Sequence, residues 1–131
     1  LNFDDAIAAH IEWKVRLSRF IDGISPEKLQ SATVCQDNLC ALGQWIYGAG
    51  AQYQPLAAYQ DLMKKHVHFH QCAGEVVKKV EDNDRAGAKA ALGNAFTMAS
   101  KETVIAIMDL QRETTQGRGG TLALTKPAWP L

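Results

Sequence analysis

The amino-acid sequence predicts an all-α fold, an antiparallel bundle of four main helices with one additional short helix. Apolar residues recur at intervals of three and four along four separate stretches, which is the spacing of one helix face. No stretch shows the strict apolar–polar alternation of a half-buried β-strand. The chain has 131 residues, 47% of them apolar, which is enough for one domain with one hydrophobic core.

The first helix is predicted from about Phe3 to Asp22. Its apolar face is formed by residues at helical spacing, namely Phe3, Ile7, Ile11, Leu17 and Ile21. Gly23 is a typical helix end, because glycine adopts the left-handed conformation at little cost. The sequence Ser25-Pro26-Glu27 has the pattern of a helix start, with serine as the cap and proline at the first helical position. This additional helix is predicted to be short, since residues 31–34 favour helix weakly.

Asp37 is predicted to cap the second main helix, which ends at the run Gly48-Ala49-Gly50. The third main helix is the longest and is predicted from Leu56 to Glu81. Its buried face is marked by residues three and four apart, namely Tyr59, Met63, His66, His70, Ala73, Val77 and Val80. This spacing is typical of a helix packed in a bundle.

The fourth main helix is predicted to begin after the cap Asp84 and to end near Thr115. Its apolar face consists of Leu92, Phe96, Ala99, Thr103, Ala106 and Leu110. From Gly117 the chain is rich in glycine and then ends with two prolines. We therefore predict one helical bundle over residues 1–116 and a flexible C-terminal tail over residues 117–131.

Charge and apolar runs argue against two classes of partner. The chain has 14 basic and 14 acidic residues, and no basic run is longer than two. Nucleic acids and acidic membranes attract a concentrated cationic face, so neither is an expected partner. The longest apolar run, about residues 104–108, is far shorter than the roughly 20 residues that span a bilayer. Direct membrane insertion is therefore not expected.

The N-terminal residues and the cysteines favour a cytoplasmic location. Asp4 and Asp5 stand where a secretory signal peptide carries basic residues. The three cysteines, Cys35, Cys40 and Cys72, are odd in number and too few for a disulfide scaffold. In a reducing compartment cysteine indicates metal binding, redox chemistry or an ordinary small buried residue.

Three of the four histidines lie on predicted buried faces. His10 occupies a position in the apolar stripe of the first helix. His66 and His70 are one turn apart on the long helix, and Cβ atoms at this spacing are roughly 5–6 Å apart. His68 is rotated from His66 by about 200° and points elsewhere. Any of these histidines taken alone is better explained as a hydrogen-bonded core residue, but the three together favour a shared metal ion. One ion satisfies three buried imidazoles, each of which otherwise costs about 1–3 kcal/mol.

Cys40 is the best candidate for a fourth ligand. It follows Asp37 closely, so its sulfur is expected in the first helical turn, where unpaired N–H groups stabilise a thiolate. Gly43 would let a neighbouring helix approach the same turn. Cys35 and Cys72 remain competing candidates by chemistry alone. Three histidines and one cysteine form a tetrahedral set that Zn²⁺ accepts, so zinc is the predicted cofactor.

Three sequence segments, in this order and spacing, resemble the chemoreceptor zinc-binding (CZB) domain family. They are Ala9-His10-Ile11-Glu12-Trp13-Lys14, Cys40-x-Leu42-Gly43-x-Trp45 and His66-x-x-Phe69-His70. The resemblance covers about residues 3–115 and implies zinc ligands at His10, Cys40, His66 and His70. It also implies a bacterial cytoplasmic module, usually dimeric, attached to a chemoreceptor signalling domain or a diguanylate cyclase. Two sensory roles are implied, a response to zinc itself and oxidation of the zinc-bound cysteine by hypochlorous acid.

The expected function is sensing, with Cys40 as the redox switch and no enzyme activity. A zinc hydrolase needs an open coordination position and a general base, but Val67 stands where the His-Glu-x-x-His motif has glutamate. A di-iron site needs carboxylates on the same helix faces as the histidines. The predicted buried face of the long helix, which carries His66 and His70, has no Asp or Glu. A purely structural zinc in a dimerisation bundle remains the alternative. Asp37 and Trp45 are predicted to influence the ligands from outside the coordination sphere.

A homodimer is predicted, in addition to the attached output domain. The chain has more apolar side chains, such as those of Phe20, Tyr47 and Phe69, than a single bundle is expected to bury. The family resemblance implies the same oligomeric state.

Overall fold

Helices packed against one another make up the fold, as the periodicity predicts. The computed structural model describes residues 1–115, and no strand occurs in that part of the chain. The helices are α1 (Phe3–Ile21), α2 (Ser31–Val34), α3 (Ala41–Tyr47), α4 (Ala57–Glu81), α5 (Arg85–Ala91) and α6 (Thr97–Thr115). A 3₁₀ turn follows α3 at Ala49–Tyr53, and a π turn at Leu92–Phe96 joins α5 to α6. The four main helices are α1, α3, α4 and the combined α5–α6, with α2 as the short one, so the predicted fold class is confirmed. The tail predicted at residues 117–131 lies outside the described residues.

The long helix α4 is the centre of the bundle and contacts α1, α2, α5 and α6. The apolar core consists of two clusters at different levels along the bundle. One cluster includes Phe3 of α1 and Leu62 of α4, and the other includes Leu17 of α1 and Phe69 of α4. His10 on α1 and His66 on α4 come between these levels, and His70 borders the second cluster, so a polar layer lies where the two apolar clusters meet.

The C-terminal end of α1 and the start of α5 form as the sequence predicts, and the start of α1 has a side-chain cap that was not predicted. The side chain of Asn2 accepts a hydrogen bond from the Asp5 N–H at 3.0 Å and caps α1. Gly23 follows α1 with φ of +75°, a conformation that glycine adopts without strain. Asp84 caps α5 by accepting from the Gly87 N–H at 2.9 Å, which confirms its predicted role. These signals involve residues at most a few positions apart, so the sequence alone reveals them.

The additional short helix lies later in the chain than predicted. Residues 25–30 are not helical, because the Ser25 hydroxyl accepts from the Glu27 N–H in a tight turn and the Glu27 carboxylate pairs with Arg16 of α1 at 2.6 Å. Helix α2 instead begins at Ser31, in the stretch whose helical propensity is weak. Contacts with other helices therefore override the local start signal.

Among the predicted apolar positions, Ile11 and Phe69 differ most in burial. Ile11 was predicted to lie on the inner face of α1 but is 55% exposed. It directly follows the buried His10, and consecutive residues of a helix are rotated by about 100°, so Ile11 points away from the core. Phe69, which was predicted to be left uncovered by one bundle, is fully buried against Phe96.

In the described part of the chain, no helix is long and apolar enough to cross a membrane.

Candidate metal centre

The structure brings all four predicted ligands together at the polar layer of the bundle. One ligand atom from each of His10, Cys40, His66 and His70 lies within 4.8 Å of the others. The ring centroids of His66 and His70 are 4.6 Å apart, and those of His10 and His66 are 5.1 Å apart. Helix α1 contributes one imidazole, α4 contributes two, and the start of α3 contributes the thiol.

The three imidazoles are buried and neutral at physiological pH. Each is at most 3% exposed to solvent. Burial lowers the pKa of His10 to about 4 and that of His66 to about 2, because the protein interior disfavours the charged ring. Burial lowers the pKa of His70 as well. Each ring is therefore in the neutral form, which has a free nitrogen lone pair and can bind a metal ion.

Two backbone carbonyls determine which ring nitrogen carries the lone pair. The Nδ1 of His10 lies 2.7 Å from the Ala6 carbonyl, and the Nδ1 of His70 lies 2.9 Å from the Val34 carbonyl. A carbonyl oxygen only accepts, so the proton of each ring resides on Nδ1 and the lone pair on Nε2. This arrangement is common in metal-binding histidines, in which the second nitrogen donates to a carbonyl.

Three imidazole nitrogens lack a hydrogen-bond partner within the described residues. They are Nε2 of His10, Nδ1 of His66 and Nε2 of His70, all buried. The remaining nitrogen, Nε2 of His66, lies 3.3 Å from the Cys40 sulfur. Two ligands that share one tetrahedral zinc ion, at roughly 2.0 and 2.3 Å from it, are about 3.5 Å apart. The donor set, its burial and its unpartnered atoms therefore fit Zn²⁺.

Cys40 itself is the N-cap of α3, a role predicted for Asp37. The Gly43 N–H donates to the Cys40 sulfur at 3.4 Å, whereas the Asp37 carboxylate accepts from the Tyr47 hydroxyl. Gly43 is needed here because an added Cβ would lie 1.7 Å from the Asp37 carbonyl oxygen. The chain that approaches Gly43 is thus the backbone just before α3, not a neighbouring helix as expected.

The helix start alone does not favour the thiolate, contrary to expectation. Burial raises the pKa of the Cys40 thiol, the nearby Asp37 charge raises it further, and the Gly43 N–H offsets only part of this. Asp37 therefore affects the electrostatics of Cys40 rather than capping its helix. Trp45 packs edge-to-face on Phe3 at 5.8 Å, in the apolar cluster that includes Phe3 and Leu62, and its influence on the ligands stays a prediction.

The other histidine and the other two cysteines, His68, Cys35 and Cys72, lie outside the four-residue cluster. His68 is exposed, and its Nε2 lies 3.5 Å from the sulfur of Cys72, which is half-buried against the second apolar cluster. Cys35 is exposed at the end of α2. The Val34 carbonyl was not foreseen as a partner of His70, and no sequence signal links the two. The Ala6 carbonyl was detectable, since it lies four residues before His10 on the same helix.

Comparison with known proteins identifies the family of the chain. No curated protein and no solved structure matches the chain at a significant level. The model of the chemoreceptor zinc-binding domain family matches residues 10–77, more than half of the chain and a segment that includes all four predicted ligands. The chain therefore belongs to the chemoreceptor zinc-binding domain family.

Proposed function

We propose that this domain is a sensory module of a bacterial signalling protein and that it holds Zn²⁺ through His10, Cys40, His66 and His70. The observation that carries the proposal is the convergence of three buried imidazoles with one cysteine sulfur, in which Nε2 of His10 and Nε2 of His70 have no partner and Nε2 of His66 lies 3.3 Å from that sulfur. The family is a sensory zinc-binding one rather than a catalytic one, and its members occur in signalling proteins. We place the parent protein in the cytoplasm, with a chemoreceptor signalling domain or a diguanylate cyclase as output.

We propose further that Cys40 is the residue that responds to oxidants. Its side chain is only half-buried, whereas the three imidazoles are fully buried. A cavity of about 350 Å³ borders Cys40 and His70 and is also lined by Trp13 and Arg16 of α1. Bound Zn²⁺ lowers the pKa of a coordinating thiol, which keeps the sulfur in its reactive thiolate form. A small oxidant thus has a route to this sulfur.

Hypochlorous acid is the oxidant that we propose. The Cys40 thiolate attacks HOCl and acquires its hydroxyl group, giving sulfenic acid and a chloride ion, so sulfur loses two electrons and chlorine gains them. Three neutral imidazoles and one thiolate would leave a formal charge of about +1 around Zn²⁺, which attracts the hypochlorite anion, the conjugate base of HOCl, and so concentrates the oxidant near the site. The Cys40 sulfur also accepts the Gly43 N–H that caps α3, so its oxidation changes the start of that helix.

The proposal is tested by treating the zinc-loaded domain with one equivalent of hypochlorite and a sulfenate trap. We expect mass spectrometry to find the trap on Cys40 first, and hydrogen exchange to increase over residues 37–48, because the cap of α3 is weakened. Cys72 and the exposed Cys35 are internal controls. Earlier modification of either control, or unchanged exchange over residues 37–48 after Cys40 oxidises, would favour the alternative of a purely structural zinc.

A homodimer is the second part of the proposal. Support comes from exposed apolar side chains on α1 and α6, two helices that pack together, with Ile11 55% and Ile105 56% exposed. We expect light scattering at micromolar concentration to give the mass of two chains, and Ile105→Lys to shift it toward one. Ile24→Lys is the matched control, because Ile24 is exposed in the connection after α1. A wild-type mass of one chain contradicts the dimer.

A further inference from the structure

The last residue of helix α2 contacts the candidate metal centre through its backbone carbonyl. The Val34 carbonyl accepts from Nδ1 of His70 at 2.9 Å, and the last carbonyls of a helix have no partner within it. This bond holds the His70 ring with its proton on Nδ1 and its lone pair on Nε2. The position of α2 therefore decides whether His70 presents the correct nitrogen.

Helix α2 cannot hold this position without support from α4. It has only four residues, far below the length at which an isolated helix is stable, and its N-cap Gln30 makes no side-chain capping bond. The Glu81 carboxylate of α4 takes over the capping role. It accepts from the Ser31 N–H at 2.9 Å and from the Ser31 hydroxyl at 2.7 Å.

The second support is the close approach of α2 to α4 at Gly74. An added Cβ at this glycine would lie 2.7 Å from the Cβ of Cys35 and 3.2 Å from its Cα. Glycine within a helix lowers stability compared with alanine, so a glycine at this position in α4 is best explained by close packing. The contact with Cys35, the residue directly after Val34, is that close packing.

We propose that Gly74 and Glu81 are positioning residues of the metal centre, which hold α2 on α4 so that the Val34 carbonyl orients His70. The inference rests on the proposed function, because it takes His70 as a zinc ligand. Glu81 is eleven residues beyond His70, roughly 16 Å along the helix, so it acts on the ring through α2 rather than by contact.

Two variants and two readouts test this proposal. Zinc affinity is measured by competition with a chromophoric chelator, and the His70 tautomer is read from imidazole ¹⁵N chemical shifts of the metal-free protein. We expect Gly74→Ala to raise the zinc dissociation constant by about 10- to 100-fold, the usual effect of losing a partner of a metal-binding histidine. Glu81→Ala should raise it at least about threefold, and both variants should populate the Nε2–H tautomer of His70.

The controls separate positioning from general damage. Gly93→Ala adds a methyl group where no atom lies within 4 Å, and Glu75→Ala removes an exposed carboxylate of α4 that pairs with Lys79. Both should stay within about twofold of the wild type. If Glu81→Ala folds and keeps the wild-type tautomer, the proposal is overturned, even where Gly74→Ala fails to fold. If the wild type binds no zinc, the proposed function fails, while the tautomer of the metal-free protein still decides this inference.

Discussion

Replacing Cys40 or His66 by alanine is expected to weaken zinc binding about 100-fold. Structural zinc sites contribute roughly 10–16 kcal/mol through four ligands, so one ligand accounts for about 3 kcal/mol, or two orders of magnitude. The loss also leaves the remaining donors buried without a partner, since the imidazoles of His10 and His70 have unpartnered Nε2 atoms. Elemental analysis after mild chelation, together with chelator competition, measures the effect.

The matched controls are His68→Ala and Cys72→Ala, which remove the same two side-chain types from α4 outside the four-residue cluster. His68 is exposed, and its Nε2 lies 3.5 Å from the Cys72 sulfur. Neither residue belongs to the four-residue cluster, so neither change removes a candidate ligand. Both variants should retain one zinc per chain. Equal loss of zinc at His68→Ala would contradict the ligand assignment.

Gly43→Ala is expected to be the most damaging substitution that removes no ligand. The new Cβ would lie 1.7 Å from the Asp37 carbonyl oxygen, and neither atom can move without a shift of the backbone that places Cys40. Overpacking of this kind costs about 1–3 kcal/mol or more, because the segment before α3 must move as a whole. The Cys40 sulfur moves with that segment, so zinc affinity falls as well.

Thermal unfolding and zinc competition measure these two consequences separately. We expect the midpoint of unfolding to fall by roughly 10 °C and the zinc affinity to fall at least tenfold. Gly93→Ala is again the control, because a methyl group there meets open space. A Gly43→Ala protein with unchanged zinc affinity would show that the approach of Asp37 does not position Cys40.

The number and order of the main helices could be predicted from the sequence, because helical spacing and caps act over short separations. The predicted face of the last helix, from Leu92 to Leu110, is buried throughout. The residues of the candidate zinc site could also be predicted, since polar side chains on apolar faces stand out against the periodicity. Two failures concern short elements. Helix α2 forms where local propensity is weak, because it packs on α4. The cap of α3 is Cys40 rather than Asp37, because the Asp37 carboxylate accepts from the Tyr47 hydroxyl instead.

The local chemistry of the site depended on packing that the sequence does not reveal. Val34 and His70 are 36 residues apart, so the hydrogen bond that orients His70 has no local signature, unlike the bond of His10 to Ala6 one turn away. The raised pKa of Cys40 likewise follows from burial by the assembled helices, which outweighs the N–H groups of its own helix start. Periodicity identifies which residues face inward. The protonation state of a side chain and the partner of each ring nitrogen depend on the full three-dimensional surroundings, because desolvation and hydrogen bonding are set by neighbours distant in sequence.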